Sequence, residues 1–128
     1  MATAVLLDTH AFVWSQFAPE RLTSAAVVAI ADAAAVYVSA ISFFEIAQKA
    51  RLGKWPEIVA KLAELPMLHE RQGGHFAAVD PAIALSAGSI VWDHRDPFDR
   101  MIAATAIQRR LLLVSADVAF DAVVRRAW

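Results

Sequence analysis

The stretch Ala4-Val5-Leu6-Leu7-Asp8 places a continuous apolar run directly before a carboxylate near the start of this 128-residue chain. A run without polar alternation is typical of a strand buried on both faces, as strands are in a parallel sheet. Two similar runs are Val36-Tyr37-Val38 and Leu111-Leu112-Leu113-Val114, and Phe76-Ala77-Ala78-Val79 is a weaker one. We therefore predict a mainly parallel sheet whose first strand ends at Asp8.

Helical patterns fill the intervals between these runs. They cover about residues 10–17, 23–34, 42–52, 56–64, 81–91 and 97–109. Gly53 suits a helix C-terminus, and Pro56 and Pro97 suit the first turns of two helices. Strands that alternate with helices predict a three-layer α/β/α sandwich with a mainly parallel central sheet. Because no repeat or linker divides the sequence, we expect residues 1–128 to form a single domain.

Composition narrows the functional classes. Hydrophobic residues make up 59% of the chain, but its longest charge-free stretches, 33–44 and 81–92, have only 12 residues each. A membrane-spanning helix needs about 20. The absence of cysteine excludes disulfides and thiolate metal sites. We expect a cytoplasmic protein without a membrane association. Its net charge of −1 argues against a broadly basic nucleic-acid surface but permits a local site.

Acidic residues follow the predicted strands. Asp8 comes directly after the first strand, Glu45 lies on the helix after the second, and Asp117 follows the last. Asp99 lies in the first turn of the helix that begins at Asp96-Pro97. Since ligands of open α/β sheets bind beyond the carboxyl ends of the strands, we expect these acids to meet at one edge of the sheet.

Carboxylates crowded at one edge repel one another and take up protons unless a cation compensates their charge. A hard cation with oxygen ligands is the natural compensation, and Mg²⁺ is the best match, with Mn²⁺ as a substitute. Such an ion lowers the pKa of a bound water and neutralises charge on a phosphodiester. The spacing therefore favours metal-assisted phosphodiester hydrolysis.

Glu45 also has a purely structural interpretation. Ser42 and Glu45 fit a capping box, in which Ser42 is the N-cap of a helix and Glu45 returns to its amide. Glu45 and Lys49 are also spaced as an i,i+4 ion pair on one helix face. Taken singly, this acid is therefore more often a structural residue than a metal ligand.

The other acids differ in how well helix capping explains them. Asp96 fits a helix N-cap, with Asp99 favoured by the helix dipole, and Asp117 fits the cap of a short helix. Asp8 has the least structural use, because it ends a buried strand. The predicted convergence of four acids favours a metal site over four unrelated helix caps.

Four segments resemble the motifs of PIN-domain ribonucleases of the VapC toxin type. They are Leu6-Leu7-Asp8-Thr9-His10-Ala11-Phe12-Val13-Trp14, Ser42-Phe43-Phe44-Glu45-Ile46-Ala47-Gln48-Lys49 with Leu52-Gly53-Lys54, His94-Arg95-Asp96-Pro97-Phe98-Asp99-Arg100-Met101-Ile102-Ala103, and Leu113-Val114-Ser115-Ala116-Asp117. The segments occur in the family's order and span residues 6–117, which is most of the chain. The first and third are the most specific.

This resemblance implies a set of roles. The acids that would bind the divalent metal and act in catalysis are Asp8, Glu45, Asp99 and Asp117. Thr9 and Ser115 would be supporting hydroxyls that hold acids or water, and Asp96 would be a helix cap. The resemblance further implies a Mg²⁺-dependent endoribonuclease that cuts tRNA or rRNA. It would be a homodimeric toxin held inactive by a VapB-like antitoxin.

Basic and aromatic residues within the motifs have two interpretations each. Lys49 and Arg100 would contact the RNA backbone or form ion pairs with neighbouring acids. His10 and His94 adjoin the site, and we expect structural or RNA-facing roles for them. Trp14 on an early helix is more typical of a core or partner-groove residue than of a base-stacking platform.

Two other classes place acids at a sheet edge, and the sequence fits neither. A receiver domain needs paired acids after the first strand, where this chain has only Asp8, and a phosphoacceptor aspartate after a middle strand, where it has Ser39. A haloacid-dehalogenase-like phosphatase needs Asp-x-Asp, and here the segment is Asp8-Thr9-His10. A PIN-like domain that binds without cleaving RNA stays open as the alternative function.

Overall fold

The central feature of the protein is a five-stranded parallel sheet, seen in a computed structural model that describes residues 3–128. The strands are β1 (Val5–Leu7), β2 (Val36–Ser39), β3 (His75–Ala77), β4 (Leu112–Val114) and β5 (Arg126–Ala127). Their spatial order is β3-β2-β1-β4-β5, and every pairing is parallel. The predicted parallel sheet is confirmed, with the Asp8 strand at its centre.

Helices cover both faces of the sheet. The α-helices are α1 (Thr9–Phe17), α2 (Ser24–Ala31), α3 (Ala40–Arg51), α4 (Leu65–Arg71), α5 (Pro81–Ser89) and α6 (Pro97–Arg109). Short 3₁₀ helices span Pro19–Arg21, Pro56–Glu64 and Val118–Ala122. Within residues 3–128 no helix is long and apolar enough to cross a membrane.

Alternate residues of β1 enter two separate cores. Val5 and Leu7 pack with Phe12 of α1 and Ile46 of α3 on one face, whereas Leu6 packs with Ile102 of α6 on the other. All three β1 side chains are at most 2% exposed. A strand buried on both faces needs no polar alternation, which is why its sequence is continuously apolar. The three-layer α/β/α sandwich is confirmed.

Several predicted boundaries are corrected by the structure. Residues 56–64 form a 3₁₀ helix, and α4 follows where no helix was predicted. Pro66 lacks the amide proton that would continue an α-helix across this point. The short strand β5 was also missed, because its two residues carry no apolar run and are specified only by their pairing with β4.

The register of the sheet aligns the ends of its three central strands. Leu7 is paired with Val38 of β2 and with Val114 of β4. The residues that follow at the carboxyl edge, Asp8 and Ser115, therefore lie next to each other although the sequence separates them widely. The chain order reverses between β1 and β4, and this is where open α/β sheets form a ligand crevice.

Candidate active site

Asp8 joins the sheet to the first helix. Its carboxylate accepts a hydrogen bond from the Ala11 amide at 2.7 Å and so caps α1. Asp8 therefore has a structural use, contrary to the expectation from its position after a buried strand. A strand that turns directly into a helix leaves the first amides of the helix without partners, and this side chain supplies one.

The Asp8 side chain is also the most strongly perturbed acid of the site. Asp8 is 7% exposed, and burial raises its pKa to about 6. Hydrogen bonds from Ser115 and Ala11 lower the pKa, and the negative charges of Asp99 and Glu45 raise it further. No ion pair involves Asp8 among residues 3–128. A buried carboxylate with these neighbours gains stability from a bound cation.

Glu45 projects from α3 toward the same site and is 6% exposed. Its Oε2 lies 2.9 Å from the Lys49 Nζ, which confirms the predicted i,i+4 pair. The predicted capping box is wrong. Ser39 caps α3 by accepting from the Ile41 amide, because β2 passes into the helix without a loop and leaves Ser42 one turn inside.

The hydroxyls of the motifs have distinct partners. Thr9 donates to the Ser42 hydroxyl at 2.9 Å, so this buried bond ties α1 to α3 and does not hold an acid as expected. Ser115 is fully buried, accepts from the Asp117 amide at 3.0 Å, and lies close enough to the Asp8 carboxylate to lower its pKa. Ser115 therefore connects the two acids that follow β1 and β4.

Asp96 caps a helix, whereas Asp99 belongs to the candidate site. Asp96 caps α6 by accepting from the Phe98 and Asp99 amides at 2.8 and 3.2 Å, as predicted. The Asp99 Oδ2 lies 2.6 Å from the His94 Nε2. Burial raises the pKa of Asp99, the His94 bond opposes that shift, and the charges of Asp96 and Glu45 add to it.

His94 forms part of a possible ligand set that the sequence did not identify. One ligand atom from each of His94, Asp99 and Asp117 lies within 4.8 Å of the others. Asp117 is exposed and also caps the Val118–Ala122 helix through the Ala119 amide, as its position predicted. The only signal for His94 was its place at the start of the third motif, since its approach to Asp117 depends on the sheet.

Among residues 3–128, Arg100 forms no ion pair with an acid. Its guanidinium donates to four backbone carbonyls, those of Ala87, Ile90, Trp92 and His94. These bonds use four of the five guanidinium N–H donors. Arg100 fixes the end of α5 and the following segment that carries His94, because its planar guanidinium can donate to several carbonyls at once.

The four predicted acids therefore converge from remote parts of the chain. Asp8 and Glu45 form a buried part, coupled by charge to Asp99, and Asp99 with Asp117 forms an accessible part. Carboxylates with at most one imidazole suit a hard divalent cation. The raised pKa values of Asp8 and Asp99 are consistent with such an ion, since burial first and neighbouring carboxylates second make the ionised forms costly.

Comparison with known proteins agrees with this geometry. The family model described as "PIN domain" matches residues 5–126. Ribonuclease VapC22 of Mycobacterium tuberculosis is 36% identical over 116 residues, which cover 90% of this chain and 88% of the relative. The chain belongs to the PIN-domain family, as its four motifs predicted.

Solved structures share the fold. The FitAcB structure from Neisseria gonorrhoeae has a TM-score of 0.60 at 28% identity and covers 95% of both chains. VapBC2 from Rickettsia felis, bound to a DNA fragment from its promoter, has a TM-score of 0.63 at 13% identity and covers 97% of both chains. At that lower identity the second likeness concerns the fold alone.

Proposed function

We propose that this protein is a metal-dependent endoribonuclease that acts as the toxin of a toxin–antitoxin pair. The observation that carries the proposal is the convergence of Asp8, Glu45 and Asp99 at the switch point of the sheet. The similarity to a protein named as a ribonuclease supports RNA as the substrate. RNA hydrolysis also agrees with the cytoplasmic location expected from the sequence.

Asp8, Glu45, Asp99 and Asp117 would hold Mg²⁺, with Mn²⁺ as a substitute. When bound, such an ion lowers the pKa of a water and stabilises charge on the phosphodiester. The chain's own residues prepare the site. Asp8 and Glu45 are fixed by the Ala11 amide and by Lys49. These bonds hold the carboxylates in place before the substrate arrives, which reduces the cost of organising the site.

His94 is a positioning residue in this proposal, and it would also serve as a ligand beside Asp99 and Asp117. Its bond to Asp99 orients the carboxylate toward Asp117. Arg100 in turn fixes the His94 carbonyl. The donor set contains more carboxylates than one Mg²⁺ usually takes from a protein. The carboxylates that the first ion leaves free would serve a second ion bound with the RNA phosphate.

An antitoxin partner is proposed because a toxin–antitoxin complex from Klebsiella pneumoniae shares the fold, with a TM-score of 0.57 at 17% identity. The surface of this chain supports a protein partner. Val27 and Val28 on α2 are 47% and 56% exposed, and α2 carries no charged residue. Beside it lies a mainly apolar cleft of about 530 Å³, lined by α1, α2 and α4. Exposed apolar surface of this kind marks interfaces, both for an antitoxin and for the homodimer that the sequence led us to expect.

The test is cleavage of purified tRNA and rRNA by antitoxin-free protein in Mg²⁺ or in EDTA. We expect cuts at discrete positions that require Mg²⁺ and that disappear in Asp8→Asn. Asp80→Asn is the matched control, since Asp80 caps α5 through the Ile83 amide but lies outside the site. That control should cleave as the wild type does.

Each outcome of this test has a definite reading. Equal products from wild type and Asp8→Asn would indicate a contaminating nuclease and would overturn the proposal. Absence of cleavage across tRNA, rRNA and total RNA would favour the PIN-like binding domain without nuclease activity. Cleavage that persists in EDTA would show that the reaction needs no divalent metal.

A further inference from the structure

Three helices of this protein end in the same hydrogen-bonding pattern, but the residue at the tightest point of the third end differs in type. At the ends of α3 and α4 this residue is a glycine in the left-handed region, Gly53 with a φ of 78° and Gly73 with a φ of 81°. At the end of α6 it is Arg110, with a φ of 55°. Among residues 3–128, Arg110 is the only residue other than glycine with a positive φ.

The backbone hydrogen bonds show that the three helix ends are equivalent. At the end of α6, the Arg110 amide donates to the Ile107 carbonyl at 3.3 Å and the Leu111 amide donates to the Ala106 carbonyl at 2.9 Å. These two bonds form a Schellman motif, and the two glycines occupy the matching position in the other two ends. A side chain at this position crowds the following carbonyl oxygen, which glycine avoids. The chain therefore places an arginine where its own backbone is strained.

The chemistry of the helix end does not explain this arginine. A cation near a helix C-terminus is favourable, but Arg109 already supplies one in the last turn of α6 without left-handed strain. Arg110 is exposed, and within the described chain it forms no ion pair. A strained residue whose charge is not used inside the fold points to a ligand from outside it.

The Arg110 side chain lines a surface cavity of about 260 Å³. Arg125, from the segment before β5, lines the same cavity and is likewise exposed and without an ion pair in the part of the chain that the structure describes. The next residue, Arg126, is by contrast paired with Asp121. Apart from Thr3, the remaining lining is aliphatic and consists of Ala106, Ile107, Leu111, Leu112, Val123 and Val124.

This cavity lies at the edge of the sheet opposite the acidic site. β4 begins two residues after Arg110, and β5 begins directly after Arg125. Both arginines therefore lie at the amino ends of strands, whereas Asp8 and Asp117 lie beyond the carboxyl ends. Because all five strands are parallel, these are opposite edges. A ligand of this cavity is consequently separate from the metal and the RNA of the proposed function.

We propose that this cavity binds an aliphatic carboxylate, with the hydrocarbon chain against the aliphatic lining and the carboxylate between Arg110 and Arg125. A guanidinium holds a carboxylate through paired N–H donors, so the two groups match in shape as well as in charge. Among the described residues, the lining contains no acid that would compete for the arginines. It also contains no aromatic ring that would stack on a nucleotide base. Burial of the hydrocarbon chain adds affinity to the charged contact.

Isothermal titration calorimetry of the wild-type protein with sodium octanoate tests the site. We expect one octanoate to bind per chain. Acetate has the charge without the chain, and octanol has the chain without the charge. Each should bind at least about 10-fold more weakly than octanoate, because each lacks one of the two contacts.

Variants of the two arginines separate ligand binding from folding. Arg110→Gly should weaken octanoate binding by about 10- to 100-fold, the effect of losing hydrogen bonds to a charged group. The same variant should melt about 2–5 °C higher without ligand, because glycine relieves the left-handed strain. Arg110→Lys keeps the charge and the strain, so its affinity should fall between those of Arg110→Gly and the wild type.

Two further variants complete the comparison. Arg125→Ala should weaken octanoate binding as Arg110→Gly does, while the backbone bond from Leu113 to the residue 125 carbonyl stays in place. Arg71→Ala removes an exposed arginine from the end of α4, outside the cavity, and should leave both the affinity and the melting temperature unchanged.

The inference fails if octanoate does not bind the wild type, or if Arg110→Gly and Arg125→Ala both bind it as tightly as the wild type does. Equal affinities for octanol and octanoate would also overturn it, since the arginines would then have no part in binding. A lower melting temperature of Arg110→Gly would contradict the strain argument. Octanoate binding is measured without RNA, so a wild type that fails to cleave RNA would overturn the proposed function alone.

Discussion

Asp8 shows how one residue carries opposing structural and functional demands. Its carboxylate caps α1 through the Ala11 amide, which stabilises the fold. The same carboxylate is buried among the charges of Asp99 and Glu45, which makes its ionised form costly. The ionised Asp8 therefore destabilises the metal-free protein, and a bound cation would remove this destabilisation.

The raised pKa of Asp8, about 6 against 3.8 for the free side chain, predicts how stability depends on pH. The folded protein holds the proton more tightly than the unfolded chain does. The contribution of the protonated Asp8 to the free energy of unfolding is therefore present below about pH 4, and it is lost as the pH rises from about 4 to about 6. In EDTA at about pH 8, we expect Asp8→Asn to be more stable than wild type by about 1–3 kcal/mol, measured by urea unfolding.

Asparagine is also a good N-cap, so this substitution removes the charge and keeps the cap. The stabilisation should largely disappear at about pH 4, where Asp8 is protonated in the folded protein. Asp80→Asn, at an exposed cap, is the control and should show no such pH-dependent difference. A destabilised Asp8→Asn at high pH would contradict the burial argument.

At the scale of elements, the segment between α5 and α6 shows how an irregular connection is held in place. Arg100 donates to four of the carbonyls of Ala87–His94, and it does so from the first turns of α6. This segment carries His94, which contacts Asp99. The position of the accessible part of the site therefore depends on the Arg100 guanidinium, although this group contacts no acid.

We expect Arg100→Lys to lower RNA cleavage by about 10- to 100-fold, since small displacements of catalytic groups have effects of this size. Lysine keeps the charge but has no planar fork that reaches several carbonyls at once. Initial cleavage rates in saturating Mg²⁺ measure the effect. Arg109→Lys, at the exposed far end of α6, should cleave normally. Wild-type rates in Arg100→Lys would show that the segment holds its position without these bonds.

At the scale of the whole molecule, the sheet edge gathers groups from β1, α3, α6 and the segment after β4. A cation held there would connect elements that are far apart in sequence, so its binding should stabilise the entire fold. We expect Mg²⁺ at about 100 times its Kd to add about 3 kcal/mol to the free energy of unfolding. Thermal melting in Mg²⁺ and in EDTA measures the shift.

The comparison between variants makes this prediction specific. Asp8→Asn should lose most of the Mg²⁺-dependent stabilisation, whereas Asp80→Asn should keep it. An equal Mg²⁺ response in Asp8→Asn and wild type would locate the binding away from the acidic site. The advantage of Asp8→Asn in EDTA should correspondingly shrink when Mg²⁺ is added, because the wild type alone gains the ion's full contribution.

Much of the fold follows from local sequence. The apolar runs at 4–7, 36–38 and 111–114 predict buried parallel strands because each must be covered on two faces. The end of β1 at Asp8 and the start of α6 at Asp96 were likewise predicted, since caps and strand ends have local chemical causes. A helix at residues 56–64 was predicted but its 3₁₀ type and the separate helix α4 were not, and the strand β5 was missed because it depends on a neighbour's hydrogen bonds.

The sequence by itself predicted the acids of the candidate site, because each of them lies in a recognisable motif directly after a strand or in the first two turns of a helix. Only the tertiary structure decided which contacts the residues around these acids make. Arg100 holds a loop, His94 joins the ligand set, and the His10 ring packs against that of Trp55. Those contacts join residues from separate elements. They depend on how α1, α5, α6 and the segments after α3 and β4 pack on the sheet, so no periodic pattern or cap within one element encodes them.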